Sequence, residues 1–360
     1  MFVDFHHASL LQSLILLFEK RFSSRVYRPI GLEWANKGFW AVYNHPATQL
    51  QYLTTDQGYR PIDGTRPLNT IIDSAYIHET DKDPGVYFCQ DIDSGKYNRA
   101  ITYEAFQKMH FSIVIASLPQ HIEPYKKLSQ SHWAKPRFIY QIGNAWDVPS
   151  STFVPNVMSS AVITQREGIP HVTYHQEFDT QIFYADPVDV WKEKRNGIYS
   201  FVNCFSVADY MREDYNLFQE VEKRMSDFSF RAYGGQCRDG AAHGTVNLAN
   251  TMRSSRFIWH TKAGGDGYGH VIHNAAAVAR PAIVKKLYYQ GKLAENLMID
   301  GETCIAIDGL DYDQIVNKIR YYDDPTRYAK MTYAIAENFS RVVDFDKEAE
   351  ILSQFIDNLL

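Results

Sequence analysis

Phe257-Ile258-Trp259-His260-Thr261-Lys262-Ala263-Gly264-Gly265-Asp266-Gly267-Tyr268-Gly269-His270 decides how this chain is read. Arg256 to His260 is a short, bulky, apolar run of the kind that forms a buried strand. Four glycines follow in Gly264 to Gly269, and then an alanine-rich stretch, Val271 to Ala279, reads as a helix. That helix stops at Arg280-Pro281, because proline disfavours helical backbone in the residue before it. Glycines permit positive φ and let a ligand approach the backbone closely. The free N–H groups at the start of the helix offer an anion site, and Lys262 adds a cation on the same loop. Diphosphate binding is one reading; a turn that only packs the helix on its sheet is the other. The spacing matches neither a Walker A loop nor a dinucleotide fingerprint.

Outward from this stretch the chain alternates strands and helices. Strands are expected at Phe2 to Phe5, Ser24 to Tyr27, Phe111 to Ala116, Arg137 to Ile142, Ala161 to Thr164 and His171 to Tyr174. A second series follows at Ile198 to Asn203, Phe228 to Tyr233, Arg256 to His260, Ala282 to Lys285 and Thr303 to Ile307. Helices are expected at Leu10 to Phe22, Gln120 to Ser131 and Ala208 to Met225, and the last carries Ile351, Leu352, Phe355, Ile356 and Leu359 as an apolar stripe. Alternation of this kind implies parallel sheets, since each crossover needs a helix to return the chain. Residues 30–105 show no long period and are expected to form irregular insertions. The resulting division is a lobe at 1–185, a second at 186–345 and a terminal helix at 346–360.

Composition narrows the class. A length of 360 residues suggests two domains at roughly 100–200 residues each. With 45% hydrophobic and 22% charged residues the chain can bury a sizeable core. The net charge of −5 argues against a protein wrapped on nucleic acid, although residues 1–180 are near neutral. Cys89, Cys204, Cys237 and Cys304 lie far apart, which fits neither a zinc knuckle nor a disulfide framework. No apolar run is long enough to span a bilayer, so a cytoplasmic protein is expected (host cytoplasm if viral). Four Asp-x-Asp pairs occur, at 81/83, 91/93, 311/313 and 344/346, a weak excess for so short a motif; the best placed, Asp91-Ile92-Asp93, follows an apolar run that no nucleotide-binding α/β pattern precedes. His171/His175 and His270/His273 lack the glutamate arrangement of a zinc helix, and no metal is expected.

From Ser254 onward the sequence resembles the nucleotide-binding lobe of GT-B glycosyltransferases, specifically glycosyltransferase family 4. That family carries a Glu-Gly-Phe-Gly turn, a second Glu eight residues after the first, and then small residues and Gly-x-Pro. Here Asp266-Gly267-Tyr268-Gly269 is followed by Asn274 and by Ala275-Ala276-Ala277-Val278-Ala279-Arg280-Pro281. Glu295, Asp300-Gly301-Glu302-Thr303 and Asp324-Pro325 continue the resemblance, and the segment Gly168 to Phe183 fits the stretch before the family's interlobe linker. About two thirds of the chain, residues 110–360, is covered.

The resemblance implies two Rossmann-like lobes with parallel sheets facing across a cleft. It implies transfer of a sugar from a nucleotide diphosphate sugar, UDP-sugar first, to a hydroxyl acceptor, with retention and without a metal or resident cofactor. Asp266 would sit near the donor sugar and Asn274 would hydrogen-bond the ribose. Gly264, Gly265, Gly267, Tyr268, Gly269, His270 and Glu295 complete the donor side. The family's Gly-Arg…Lys-Gly pattern is missing, with Asn203-Cys204-Phe205-Ser206 in its place. The diphosphate cations are therefore sought in Lys262, Arg231 or Arg212, Lys262 first. His6 and His7, after the first strand, are candidates for a general base or a sugar contact. Asn144, Trp146 and Asp147 end another strand on the acceptor side. The acceptor is a glycan, a small molecule or a hydroxymethylated base in DNA. A sugar epimerase and a non-catalytic nucleotide- or sugar-binding protein are the alternatives. Trp34, Phe39, Trp40, Tyr43, Tyr52 and Tyr59 crowd a region where aromatic faces could stack on sugars or bases.

Overall fold

A computed structural model of the chain describes residues 1–4, 8–29, 34, 37, 39, 51–55, 58–62, 75–79, 84–91, 97–145, 148, 155–162, 168–186 and 195–360. Two compact units form: Met1–Phe178 together with Phe345–Leu360, and Asp179–Asp344.

The first unit holds β1 (Phe2–Val3), β2 (Tyr27–Pro29), the hairpin β3 (Gln51–Thr55) and β4 (Gly58–Ile62), β5 (Ala75–Glu79), β6 (Val86–Asp91) and β7 (Tyr97–Ile101). It continues with β8 (Ile113–Ala116), β9 (Arg137–Ile142), β10 (Val157–Ser159) and β11 (His171–Thr173). Nine of them make one sheet in the order β11-β10-β9-β8-β1-β2-β7-β6-β5. Pairing is parallel from β11 to β7 and antiparallel through β6 and β5. Strand β8 shows why both faces are covered. Its side chains alternate, so Val114 and Ala116 join Phe2, Trp34, Phe106 and Tyr125, while Ile113 and Ile115 join Leu14, Phe18, Leu352 and Ile356. The C-terminal helix, Phe345–Asp357, thus packs within the first unit.

Three expectations change here. Among the described residues of 30–105 there are five strands, and the stretch leads into a helix at Tyr103–Lys108. Their antiparallel members are short and mixed in polarity, so they lack the continuous apolar runs that mark buried parallel strands. A strand forms at Val157–Ser159, ahead of the one expected at Ala161 to Thr164, because two serines follow its apolar pair and hide it; residues 163 and 164 lie outside the described residues. The helix expected over Leu10 to Phe22 is α-helical at Ala8–Ile15 and continues as a π-helical turn, Leu16–Arg21.

The second unit is a five-stranded parallel sheet of β12 (Gly197–Ser200), β13 (Ser229–Ala232), β14 (Phe257–His260), β15 (Ala282–Val284) and β16 (Cys304–Ala306), in the order β13-β12-β14-β15-β16. The chain steps outward from β12 to β13 and then returns to β14 on the other side. The order therefore reverses between β12 and β14, and a crevice outside the carboxyl ends of such strands is where open α/β sheets take ligands. A helix not anticipated from the sequence, Thr245–Ser254, fills the β13–β14 crossover; only Ala249 and Met252 are buried on it, too weak a stripe to read. Among the described residues no helix is long and apolar enough to cross a membrane.

Candidate functional site

All four residues of β14 are buried, and the strand delivers the chain into the glycine loop at the point where the strand order reverses. Gly264 and Gly265 have φ of 72° and 71°, and Gly269 has φ of 84°. Gly265 has a second reason to be glycine, since a Cβ there would stand 2.3 Å from the carbonyl oxygen of Tyr288. Lys292, buried to 7% exposure, donates its ammonium protons to the carbonyls of Gly264 at 2.8 Å and Asp266 at 3.0 Å. The loop is thus tied down on both sides of Gly265. The helix His270–Ala277 then begins with no side chain capping it. The Ile272 and His273 N–H groups bond the Gly269 carbonyl, and the helix dipole leaves partial positive charge at this end.

Asp266 is the hub of the site. His260 Nε2 lies 2.6 Å from its Oδ2, and Lys262 Nζ donates to its Oδ1. The Tyr289 hydroxyl stands 3.5 Å from Oδ2. Burial works against ionisation of Asp266, but the hydrogen bonds from His260 and Lys262 and the Lys262 charge outweigh it and hold the carboxyl well below the usual carboxylate range. Burial, reinforced by the Asp266 charge, pushes the Tyr289 phenol upward. Burial pulls the Lys292 ammonium below its ordinary value, although Asp266 works the other way.

A second cation reaches the same edge of the sheet from the end of β15. Lys285 Nζ is held by Asp214 Oδ1 and lies 3.3 Å from the Tyr288 hydroxyl. Partial burial opposes its charge, yet the bonds to Asp214 raise the ammonium above its ordinary value. Asp214 is 1% exposed, and its second oxygen has no partner among the described residues.

The other residues singled out from the sequence divide clearly. Asn274 is buried one turn into the helix, with its Oδ1 unpartnered among the described residues. Tyr268 turns into the core, its ring stacked on His273 at 4.0 Å, and His270 meets it edge-on. Glu295 accepts the Gly291 N–H at 2.7 Å. Arg231 lies on β13, an outer strand two places from β14, and pairs with Asp239 at 2.9 Å. Arg212 opens the helix Arg212–Arg224 and pairs with Asp209. Arg231 is thus not on a strand that neighbours β14, whereas Arg212 shares its helix with Asp214. Asn144 follows β9 in the first unit, its Oδ1 buried without a partner among the described residues. His6, His7, Trp146 and Asp147 lie outside the described residues, as do Trp40 and Tyr43. Trp34 and Phe39 meet ring edge to ring face at 5.5 Å, within the core of the first unit.

His260, Asp214, Lys285, Tyr289 and Lys292 were not anticipated. His260 was visible as the last residue of a strand, with nothing local to mark it as a partner of Asp266. The other four are brought to the loop by β15, by the segment after it and by the helix at 212–224.

No family model matches the sequence, and comparison with curated proteins finds no match. Solved structures do match, and they place both sheets in the GT-B fold. HepE from Anabaena, in complex with UDP-glucose, superposes with a TM-score of 0.56 at 11% identity, over 99% of this chain and 99% of that one. A TarM variant from S. aureus, in complex with fondaparinux, α-GlcNAc-glycerol and UDP, gives 0.56 at 10% identity, with 99% of each chain covered. Sucrose-phosphate synthase from Thermosynechococcus elongatus gives 0.56 at 10% identity, over 99% of this chain and 98% of that one.

Proposed function

We propose that the protein is a glycosyltransferase that moves a sugar from a nucleotide diphosphate sugar, UDP-sugar first, to a hydroxyl acceptor. The observation that carries this reading is the glycine loop at the strand-order reversal, with an uncapped helix start on one side and Lys262 and Lys285 beside it. The fold is that of proteins whose crystal structures contain UDP and UDP-glucose.

In this reading the helix N–H groups and the two lysines hold the diphosphate. As the bond from the sugar's anomeric carbon to the diphosphate oxygen breaks, negative charge gathers on that oxygen. Fixed cations and N–H groups stabilise it without reorganising. The acceptor oxygen forms the new bond and gives up its proton to a base or to solvent. Asp266 lies where it can face the positive charge that develops on an oxocarbenium-like sugar. Asn274 offers a buried, unpartnered carbonyl oxygen to a ribose hydroxyl. We keep the reaction free of metal and resident cofactor, because protein cations supply the charge, and retaining, as the resemblance of the glycine loop to glycosyltransferase family 4 implies. A glycan and a hydroxymethylated base in DNA are the acceptors to try, and a cytoplasmic location goes with either.

The test is a panel of nucleotide sugars incubated with glycans and with hydroxymethylated DNA. Products are read by mass spectrometry and the donor by NMR. Acceptor-dependent release of the nucleoside diphosphate is expected, and Lys285→Ala should weaken UDP binding by about 10- to 100-fold, the worth of one charge-assisted hydrogen bond. Donor isomerisation without acceptor would make the protein an epimerase. UDP binding with no turnover would make it a binding protein, and no UDP binding at millimolar concentration would remove the assignment.

A further inference from the structure

We propose that Lys262 changes partners during the reaction, leaving Asp266 for the donor diphosphate and freeing an Asp266 oxygen to face the sugar. The inference rests on the diphosphate-binding reading above and concerns how that site is made ready.

Both Asp266 oxygens are engaged by side chains of the chain itself. Oδ2 is held by His260 at 2.6 Å and Oδ1 by Lys262. With the Tyr289 hydroxyl 3.5 Å from Oδ2 as a third contact, the remaining acceptor direction is on Oδ1, where the Lys262 charge opposes a developing cation. Opening the Lys262 contact is therefore what frees Asp266 to face the sugar. His260 cannot be the contact that opens. It is 1% exposed at the end of a fully buried strand, and its Nδ1 is buried with no partner among the described residues. An unpaired buried N–H at Nδ1 would be costly, so the ring's proton belongs on Nε2, where it donates to Asp266. The loop backbone cannot be the one either, because Lys292 clamps the carbonyls of Gly264 and Asp266.

Lys262 remains. Its side chain is 32% exposed, against 15% for Asp266, and a four-carbon stem lets the ammonium swing without moving the loop. The helix start that follows Gly269 has no side-chain cap, and the unpartnered Oδ1 of Asn274 lies one turn further in. An anion seated there would lie at the end of the loop that carries Lys262, whose ammonium is free to turn towards it once it leaves Asp266. No covalent bond changes in this step; one ion pair is exchanged for another, and the diphosphate's own charge compensates Lys262 for the partner it leaves. Asp266 therefore competes with the ligand for Lys262.

That competition has a signature which a purely structural role would not show. Asp266→Asn removes the competing charge while keeping the size and the hydrogen bond to His260. UDP, measured by titration calorimetry, should bind about 10-fold more tightly to this variant while kcat falls by at least 10-fold. Lys262→Ala should bind UDP about 10-fold more weakly than the unaltered protein. In the double variant the tightening should vanish, leaving the affinity of Lys262→Ala alone. If both residues only supported the loop, each single change would weaken binding; weaker or unaltered UDP binding by Asp266→Asn overturns the proposal. Should that variant fold poorly, the unaltered protein serves. NMR of the lysine ammonium groups, assigned with Lys262→Arg, should show the Lys262 signal shifting as UDP is added, and an unmoved signal at saturation overturns the proposal. A protein that binds no UDP at all would instead overturn the function assigned to the site, and this inference with it.

Discussion

Replacing Gly265 by alanine probes the loop through its backbone. Two costs add. The residue has φ of 71°, and holding an L side chain in that region costs about 1–2 kcal/mol. The new Cβ would also stand 2.3 Å from the Tyr288 carbonyl oxygen and 2.7 Å from Lys292 Nζ. The lysine can retreat, but the carbonyl is backbone, so the loop or the segment after β15 must shift; overpacking of this kind costs about 1–3 kcal/mol. The sum is about 3 kcal/mol, which for a unit of this size lowers the thermal midpoint by roughly 6–12 °C at 2–4 °C per kcal/mol. Gly291 is the control. Its φ is 74°, yet a Cβ there meets nothing within 4 Å, so Gly291→Ala carries only the backbone cost of about 1 kcal/mol. Thermal unfolding followed by circular dichroism compares the two, and UDP titration should show the larger loss for Gly265→Ala, since displacing Lys292 releases two loop carbonyls. If Gly265→Ala were no worse than Gly291→Ala in both measurements, the close approach described here would be wrong.

Two further outcomes test other parts of the structure. Leu352 is 1% exposed on the C-terminal helix within the first unit, so Leu352→Ala should cost that unit about 3 kcal/mol, whereas Ile351→Ala, on the exposed side, should cost almost nothing; equal losses in urea unfolding would misplace the helix. Asp266 has a folded-state pKa below its unfolded value, so its contribution is complete above about pH 4 and is lost as pH falls from there towards the folded value. Between pH 5 and pH 3 the unaltered protein should therefore lose stability more steeply than Asp266→Asn, and parallel pH profiles would remove Asp266 as an ion-pair hub.

Residues 257–277 were legible because their signals are local: a bulky apolar run, glycines where the backbone turns sharply, and alanines ended by Arg280-Pro281. The alternation of strands and helices on both sides was legible for the same reason, and with it the parallel sheets. The hidden parts have a common physical character. Strands β5 to β7 gain their stability from pairing with one another, so each is too short and too mixed in polarity to declare itself alone. The helix Thr245–Ser254 buries only two side chains and shows almost no stripe.

At the site the same division holds. The sequence by itself determined the glycine loop, the helix behind it and the presence of Lys262 and Asp266, since all of these follow from spacing within a few residues. Only the tertiary structure decided what those groups do to one another. Parallel pairing of β14 with β15 brings Lys285 to the same edge as the loop, and the helix at 212–224 supplies Asp214 from 71 positions away. The turn after β15 brings Lys292 onto carbonyls 26 and 28 positions earlier in the chain. The strand order sets Arg231 on an outer strand beside Asp239, although its charge had made it look eligible. An ion pair depends on separations of a few ångströms in space, and no count along the chain reports those until the strands are in register.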